Sequence, residues 1–126
     1  MDWHNASHHG QDDEKLAQLK IIELQQMQLF NELLTKFKQS RDGESSLLDR
    51  TIVQFGSNLG NASSHDTKNM PVLLLGGGFK HGKHLAFDRA HNTALARVFV
   101  SMLQRLGVPA DSFASGKGTI AGLEPA

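Results

Sequence analysis

The chain has 126 residues, 39% hydrophobic and 21% charged. That length and balance suit one globular domain with its own core, and they are unlike those of disordered or fibrous chains. Thirteen Lys and Arg offset thirteen Asp and Glu, and a formal net charge of zero supplies no electrostatic footprint for nucleic acid or an anionic membrane. Cysteine is absent, which excludes disulfides, thiolate metal sites and cysteine nucleophiles, so any metal must be held by His, carboxylate and water.

Seven histidines make the charge balance sensitive to pH near about 6.5, the ordinary imidazole value. The N-terminus shows no basic stretch followed by an apolar run, and no apolar stretch approaches the roughly 20 residues that a membrane span needs. Neither an export signal nor a membrane span is read in this chain.

In chain order, Trp3-His4-Asn5-Ala6-Ser7-His8-His9-Gly10 gathers three imidazoles, an amide and a hydroxyl before a terminating glycine. Packing alone asks for no such cluster. Asp12, Asp13 and Glu14 then mark a helix start, through capping and the helix dipole. No Gly or Pro interrupts residues 14–39, and Leu16, Leu19, Ile22, Met27, Phe30, Leu34 and Phe37 recur at mostly three-to-four spacing. A long helix is expected within 12–40, its uninterrupted run of about 26 residues being roughly 39 Å at 1.5 Å per residue. Ile21, Leu24, Leu29 and Leu33 widen its apolar stripe, which reads as packing on a sheet rather than as a heptad seam. The polar run Arg41-Asp42-Gly43-Glu44-Ser45 stops it.

Residues 51–55 read as a strand, β-branched and aromatic and ended by Gly56 and Ser57. A loop rich in Asn, Ser and Gly follows and carries His65-Asp66. Residues 71–75 form a short continuous apolar run before Gly76-Gly77-Gly78, as in a strand buried on both faces. Residues 84–87 are a candidate extra strand. A second amphipathic helix is expected over about 92–106 from Leu95, Val98, Phe99, Met102, Leu103 and Leu106, with Gly107 and Pro109 stopping it. Residues 107–126 read as an irregular tail, and no internal repeat is found.

In open α/β sheets ligands bind at the carboxyl ends of strands. The loop carrying Ser57, Asn58, His65 and Asp66 leaves such an end, and a 39 Å helix antiparallel to the strand would return the His4–His9 cluster to the same rim. Neutral imidazole, carboxylate and water suit Zn²⁺, Mn²⁺ or Fe²⁺, and three protein ligands with an open position make a hydrolytic site. His4, His8 and His65 are the first-choice ligands, with His9 and Asp66 next and Ser57 and Asn58 in the same loop. The His4-x-x-x-His8 spacing aligns both rings whether the segment is helical or extended, with His9 turned elsewhere.

Each feature also has a plainer reading. The His-rich stretch could be a frayed tail, His65-Asp66 a solvated Asx turn, and His81, His84 and His91 surface or structural residues. The triple glycine resembles a phosphate cradle but lacks the Walker spacing, so a tight turn is expected and no nucleotide cofactor. Ser7 is a weak candidate nucleophile, lacking both an elbow and an orienting acid.

His4-Asn5-Ala6-Ser7-His8-His9 resembles the signature of the HxxSHH-motif family, bacterial proteins classed as a domain of unknown function. The resemblance continues through Leu47-Leu48-Asp49-Arg50-Thr51, Phe55-Gly56-Ser57, His65-Asp66, Asn69-Met70-Pro71-Val72-Leu73-Leu74, Gly76-Gly77-Gly78, Gly82-Lys83-His84, Ser101-Met102-Leu103, Leu106-Gly107-Val108-Pro109 and Gly122-Leu123. Family members are much longer and usually carry an export signal. The resemblance therefore implies that residues 1–126, a single α/β domain, are the C-terminal fragment of a periplasmic or exported parent, whose missing N-terminal portion is the implied partner.

A more distant resemblance reaches the alkaline phosphatase and sulfatase superfamily and implies part of its three-layer α/β fold. His4 and His8 match a metal-binding D-x-x-x-H with His in place of Asp, 51–55 matches the following strand, and His65 precedes Pro71. The superfamily's Asp-His pair is Ser57-Asn58 or Asn58-Leu59 here, which removes two ligands and with them the second metal. Its nucleophile belongs to an N-terminal half outside this chain. The resulting expectation is a single-metal portion of a phosphate or sulfate ester hydrolase, incomplete as an enzyme alone; the alternative is a non-catalytic binding or assembly module with a pH-responsive histidine cluster.

Overall fold

The structure, a computed structural model, describes residues 2–126. It is a mixed α/β chain whose strands pair in three two-stranded sheets. Two compact units are formed, one from residues up to Leu47 together with Gly56–Val72, the other from Leu48–Phe55 and Leu73–Ala126. Among the described residues no helix is long and apolar enough to cross a membrane.

In the first unit the segment expected as a His-rich loop contains a short helix, α1 (Trp3–Ser7). Asp2 caps it, its carboxylate accepting from the Asn5 N–H at 2.8 Å, and α1 packs on the following helix while burying Ala6 to 1% exposure. That N–H holds the Asp2 carboxyl below the usual carboxylate range. Because the folded value is depressed, the stabilisation is present above the unfolded value and is lost as pH falls through the folded one. Asp2→Ala is expected to fray α1 at neutral pH as acid does to the native chain, read as faster amide exchange at Asn5 and Ala6; unchanged exchange would contradict the cap.

The long helix α2 (Asp13–Gln39) falls where the uninterrupted sequence puts it, with Asp12 as N-cap accepting from the Lys15 N–H at 2.9 Å and Lys36 and Lys38 in the last turn. Its covered side runs through Leu16, Leu19, Ile22, Phe30, Leu34 and Phe37, with Phe30 the most buried. The widening residues do not join this core. Ile21 and Leu29 are each 64% exposed, and Leu24 and Leu33 are exposed too, since at 3.6 residues per turn Leu24, Leu29 and Leu33 flank the covered side and Ile21 lies opposite it. The polar breaker closes into a tight hairpin, β1 (Arg41–Asp42) pairing antiparallel with β2 (Ser45–Ser46) around Gly43 in a left-handed conformation.

β3 (Ile52–Gly56) and β4 (Val72–Gly76) pair with each other. The Ser57 N–H donates to the Pro71 carbonyl at one end of the pair. Residues 57–71 run out of this pair into the first unit as the loop that carries His65. β4 is not buried on both faces as its apolar run suggests: Leu73 is 45% exposed. The candidate strand at 84–87 is absent, the chain there having no regular structure and no ladder partner.

In the second unit α3 (Ala96–Arg105) starts later than periodicity predicts. Asp88 and Asn92 side chains accept from the His91 and Thr93 N–H groups, at 2.6 and 2.8 Å, and so hold the preceding residues in turns that compete with helix. The inner side of α3 is lined by Ala96, Val98, Val100 and Ser101, with Val100 fully buried, while Leu106 is exposed. The tail is not irregular throughout: β5 (Ser112–Phe113) and β6 (Gly116–Lys117) form an antiparallel hairpin against α3, with Phe113 edge-on to Phe99 at 5.6 Å.

Ser101 locks this unit, accepting from the Ile120 N–H at 3.0 Å and donating to the Arg97 carbonyl at 3.2 Å. Ser101→Ala strands a buried N–H and is expected to destabilise by about 1–3 kcal/mol in denaturant unfolding; an unchanged midpoint would contradict it.

Candidate functional site

The imidazoles assemble within the first unit. Helical backbone puts His4 and His8 one turn apart on a common side, their ring centroids 4.6 Å apart at 64°. His8 is the C-cap residue, its N–H donated to the His4 carbonyl at 3.2 Å, and Lys15 Nζ on α2 donates to the His8 carbonyl at 3.4 Å. The loop brings His65 to the other side of His8, with centroids 4.7 Å apart at 85°. His65 Nε2 stands 3.3 Å from His8 Nε2. All three first-choice residues are therefore brought together, with His4 and His65 exposed and His8 half-buried.

The secondary candidates have other employment. His9 Nδ1 accepts from the Gln11 N–H at 3.1 Å, which turns its ring into the link between α1 and α2. Asp66 Oδ1 accepts from the Lys68 N–H at 3.0 Å, an Asx turn. Ser57 Oγ accepts from the Leu59 N–H at 3.1 Å, and Asn58 lies exposed beside it. Ser7 Oγ donates to the His4 carbonyl at 2.8 Å, so its proton faces backbone rather than an imidazole, which argues against a nucleophile. Elsewhere, His81 Nε2 donates to the Gly76 carbonyl at 2.8 Å, and His91 sits 3.3 Å from Asp88. The triple glycine is a left-handed turn, with φ of 70°, 62° and 70°.

Composition gives no hint of what holds His65 in place. The loop is pinched shut between Asn61 and Asp66, whose N–H and C=O groups bond in both directions at 3.0 and 3.3 Å, and the Gly60 N–H also reaches the Asp66 carbonyl at 2.8 Å. His65 itself has φ of 53°, the left-handed region that a non-glycine enters at a cost of about 1 kcal/mol or more. Strain of this kind clusters at functional sites. A histidine after an Asn-Ala-Ser-Ser run is the one sequence signal for such a turn.

The chemistry of the cluster follows from the 3.3 Å spacing. Two ring nitrogens each about 2.0–2.1 Å from a tetrahedral Zn²⁺ stand about 3.3–3.4 Å apart, so His8 and His65 fit two corners of one coordination sphere. The same separation lets one ring share its N–H with the other. His4 is the adjacent third ring, and among the described residues no three side chains converge as a formed metal cage.

The fold and site thus define a mixed α/β chain with a surface histidine triad. Comparison of the chain with protein-family models, with curated proteins and with solved structures finds no match.

Proposed function

We propose that His4, His8 and His65 hold a single divalent metal, of which Zn²⁺, Mn²⁺ and Fe²⁺ suit the donors, and that the chain is the C-terminal portion of an exported, alkaline-phosphatase-like hydrolase. The observation that supports the metal site is the 3.3 Å separation of the His8 and His65 Nε2 atoms beside His4, while the hydrolase parent rests on the motif resemblance alone. Binding needs both Nε2 lone pairs, which puts the ring protons on Nδ1, where they are available to orient each ligand.

A metal so held would supply Lewis acidity towards a phosphate or sulfate ester. The chain's own part would be to present His4, His8 and His65 as its ligands. The nucleophile is assigned to the parent's N-terminal portion, in keeping with the engagement of Ser7.

The test is metal analysis of protein purified without a His tag, beside a His4→Ala/His8→Ala variant. Stoichiometric metal in the first and none in the second supports the site; equal, substoichiometric metal in both sinks it. Ester hydrolysis is then assayed in the longer parent with aryl phosphate and aryl sulfate.

The exposed Ile21, Leu24, Leu29 and Leu33 on α2 favour a second reading. In it the chain is a non-catalytic binding or assembly module, and His8 and His65 share a hydrogen bond in place of a metal. A metal-free protein whose α2 side chains become protected in the parent would support that reading.

A further inference from the structure

His8 and His65 come from segments 57 residues apart, yet their Nε2 atoms stand 3.3 Å apart. A turn that is rigid in itself still has to be fastened to the helix cap opposite. The fastening is on the page: the Gly10 N–H donates to Ser63 Oγ at 3.0 Å. Gly10 follows His8 by two residues and Ser63 precedes His65 by two, so the bond spans the two segments immediately beside the imidazole pair. Gly10 adopts φ of 55°, which glycine enters without strain. On the loop side Ser63 lies within the pinched turn, where the Ser64 N–H donates to Asn61 Oδ1 at 3.3 Å and the His65 N–H to the Ala62 carbonyl at 3.2 Å.

We propose that Ser63 is a positioning residue, a latch whose hydroxyl docks the His65 turn on Gly10 and thereby sets the separation of the His8 and His65 nitrogens. It touches neither ring. This rests on the metal-site reading for its consequence, while the latch itself can be seen without metal. Groups that merely orient metal ligands typically change affinity 10–100-fold on removal, and a side-chain oxygen accepting one N–H is the least that can fix a turn whose internal hydrogen bonds are already satisfied.

The experiment uses the untagged full chain with Ser63→Ala and Ser63→Thr, each followed by two readouts: nuclear Overhauser contacts between the His8 and His65 ring protons in metal-free protein, and Zn²⁺ affinity by competition with a chromophoric chelator. Expected are a ring contact in the native chain, its loss in Ser63→Ala with a 10- to 100-fold weaker affinity, and recovery of both in Ser63→Thr, while the Val100 methyl signals of the second unit stay in place throughout. A ring contact and affinity retained in Ser63→Ala would overturn the latch, as would a native chain without the ring contact or a Ser63→Ala chain whose Val100 signals collapse. Native protein that shows the contact and its Ser63 dependence but takes up no Zn²⁺ would sink the metal reading and leave the latch standing.

Discussion

His8→Ala is expected to weaken Zn²⁺ binding by about 100-fold or more, beyond the loss from a group that only orients a ligand. His8 is the ring both others meet: His4 at 4.6 Å and His65 at 4.7 Å between centroids. Removing it takes away one nitrogen of the 3.3 Å pair and leaves His4 and His65 without the ring between them. His65→Ala is expected to match it, because it removes the other nitrogen. His9→Ala is the control, since the His9 ring accepts from the Gln11 N–H and lies outside the cluster; its affinity should equal that of the native chain. Competition titration of the untagged variants measures all three, and His8→Ala binding as tightly as His9→Ala would remove the cluster from consideration as a metal site.

Gly60→Ala is expected to cost about 1–3 kcal/mol, as overpacking does where neighbours cannot yield. A Cβ at Gly60 would collide with the Lys68 carbonyl oxygen and stand 3.0 Å from the Lys68 carbonyl carbon and 3.2 Å from the Asn69 oxygen. These are backbone atoms at the base of the His65 loop, held by the Gly60–Asp66 hydrogen bond at 2.8 Å, so the loop must open for the methyl to enter. Urea unfolding reads the destabilisation, and Zn²⁺ affinity is expected to fall with it because the displaced segment carries His65. A native midpoint for Gly60→Ala would mean that the close approach of residues 60 and 68 is not what closes the loop.

Both expectations depend on features with very different visibility in the sequence. The members of the cluster were legible: residue type and the four-residue interval put His4 and His8 on one side, and the strand-end loop singled out His65. Gly60 and Ser63 were not, because a glycine and a serine in a loop already rich in both carry no distinguishing composition. What makes them matter is contact with Lys68 and Gly10, and the second of those contacts spans 53 residues. The roles of His9 and Asp66 were undecided for a related reason, since each could ligate or make a local turn, and the local hydrogen bonds to Gln11 and Lys68 prevailed.

The fold divides along the same line. Local chemistry suffices for α2, where Asp12 offers the cap and no Gly or Pro interrupts the run to Gln39. It suffices as well for the end of that helix before the polar breaker and for the tight turn at the triple glycine. Local chemistry misplaces the start of α3, where Asp88 and Asn92 side chains capture backbone N–H groups, and it misses the hairpin that packs the tail on that helix. It also overstates the burial of Leu73 and of Ile21, Leu24, Leu29 and Leu33, since periodicity tells which residues are apolar and only packing tells which are covered.

By itself, then, the sequence determined the bounds of α2, the absence of thiol chemistry and the alignment of His4 with His8, because these follow from residue type and short spacing. Tertiary structure alone decided that His65 joins His8 at 3.3 Å. That outcome rests on the local closure of the loop at Gly60 and on its docking through Ser63, and the docking is settled by the distance between segments 53 residues apart.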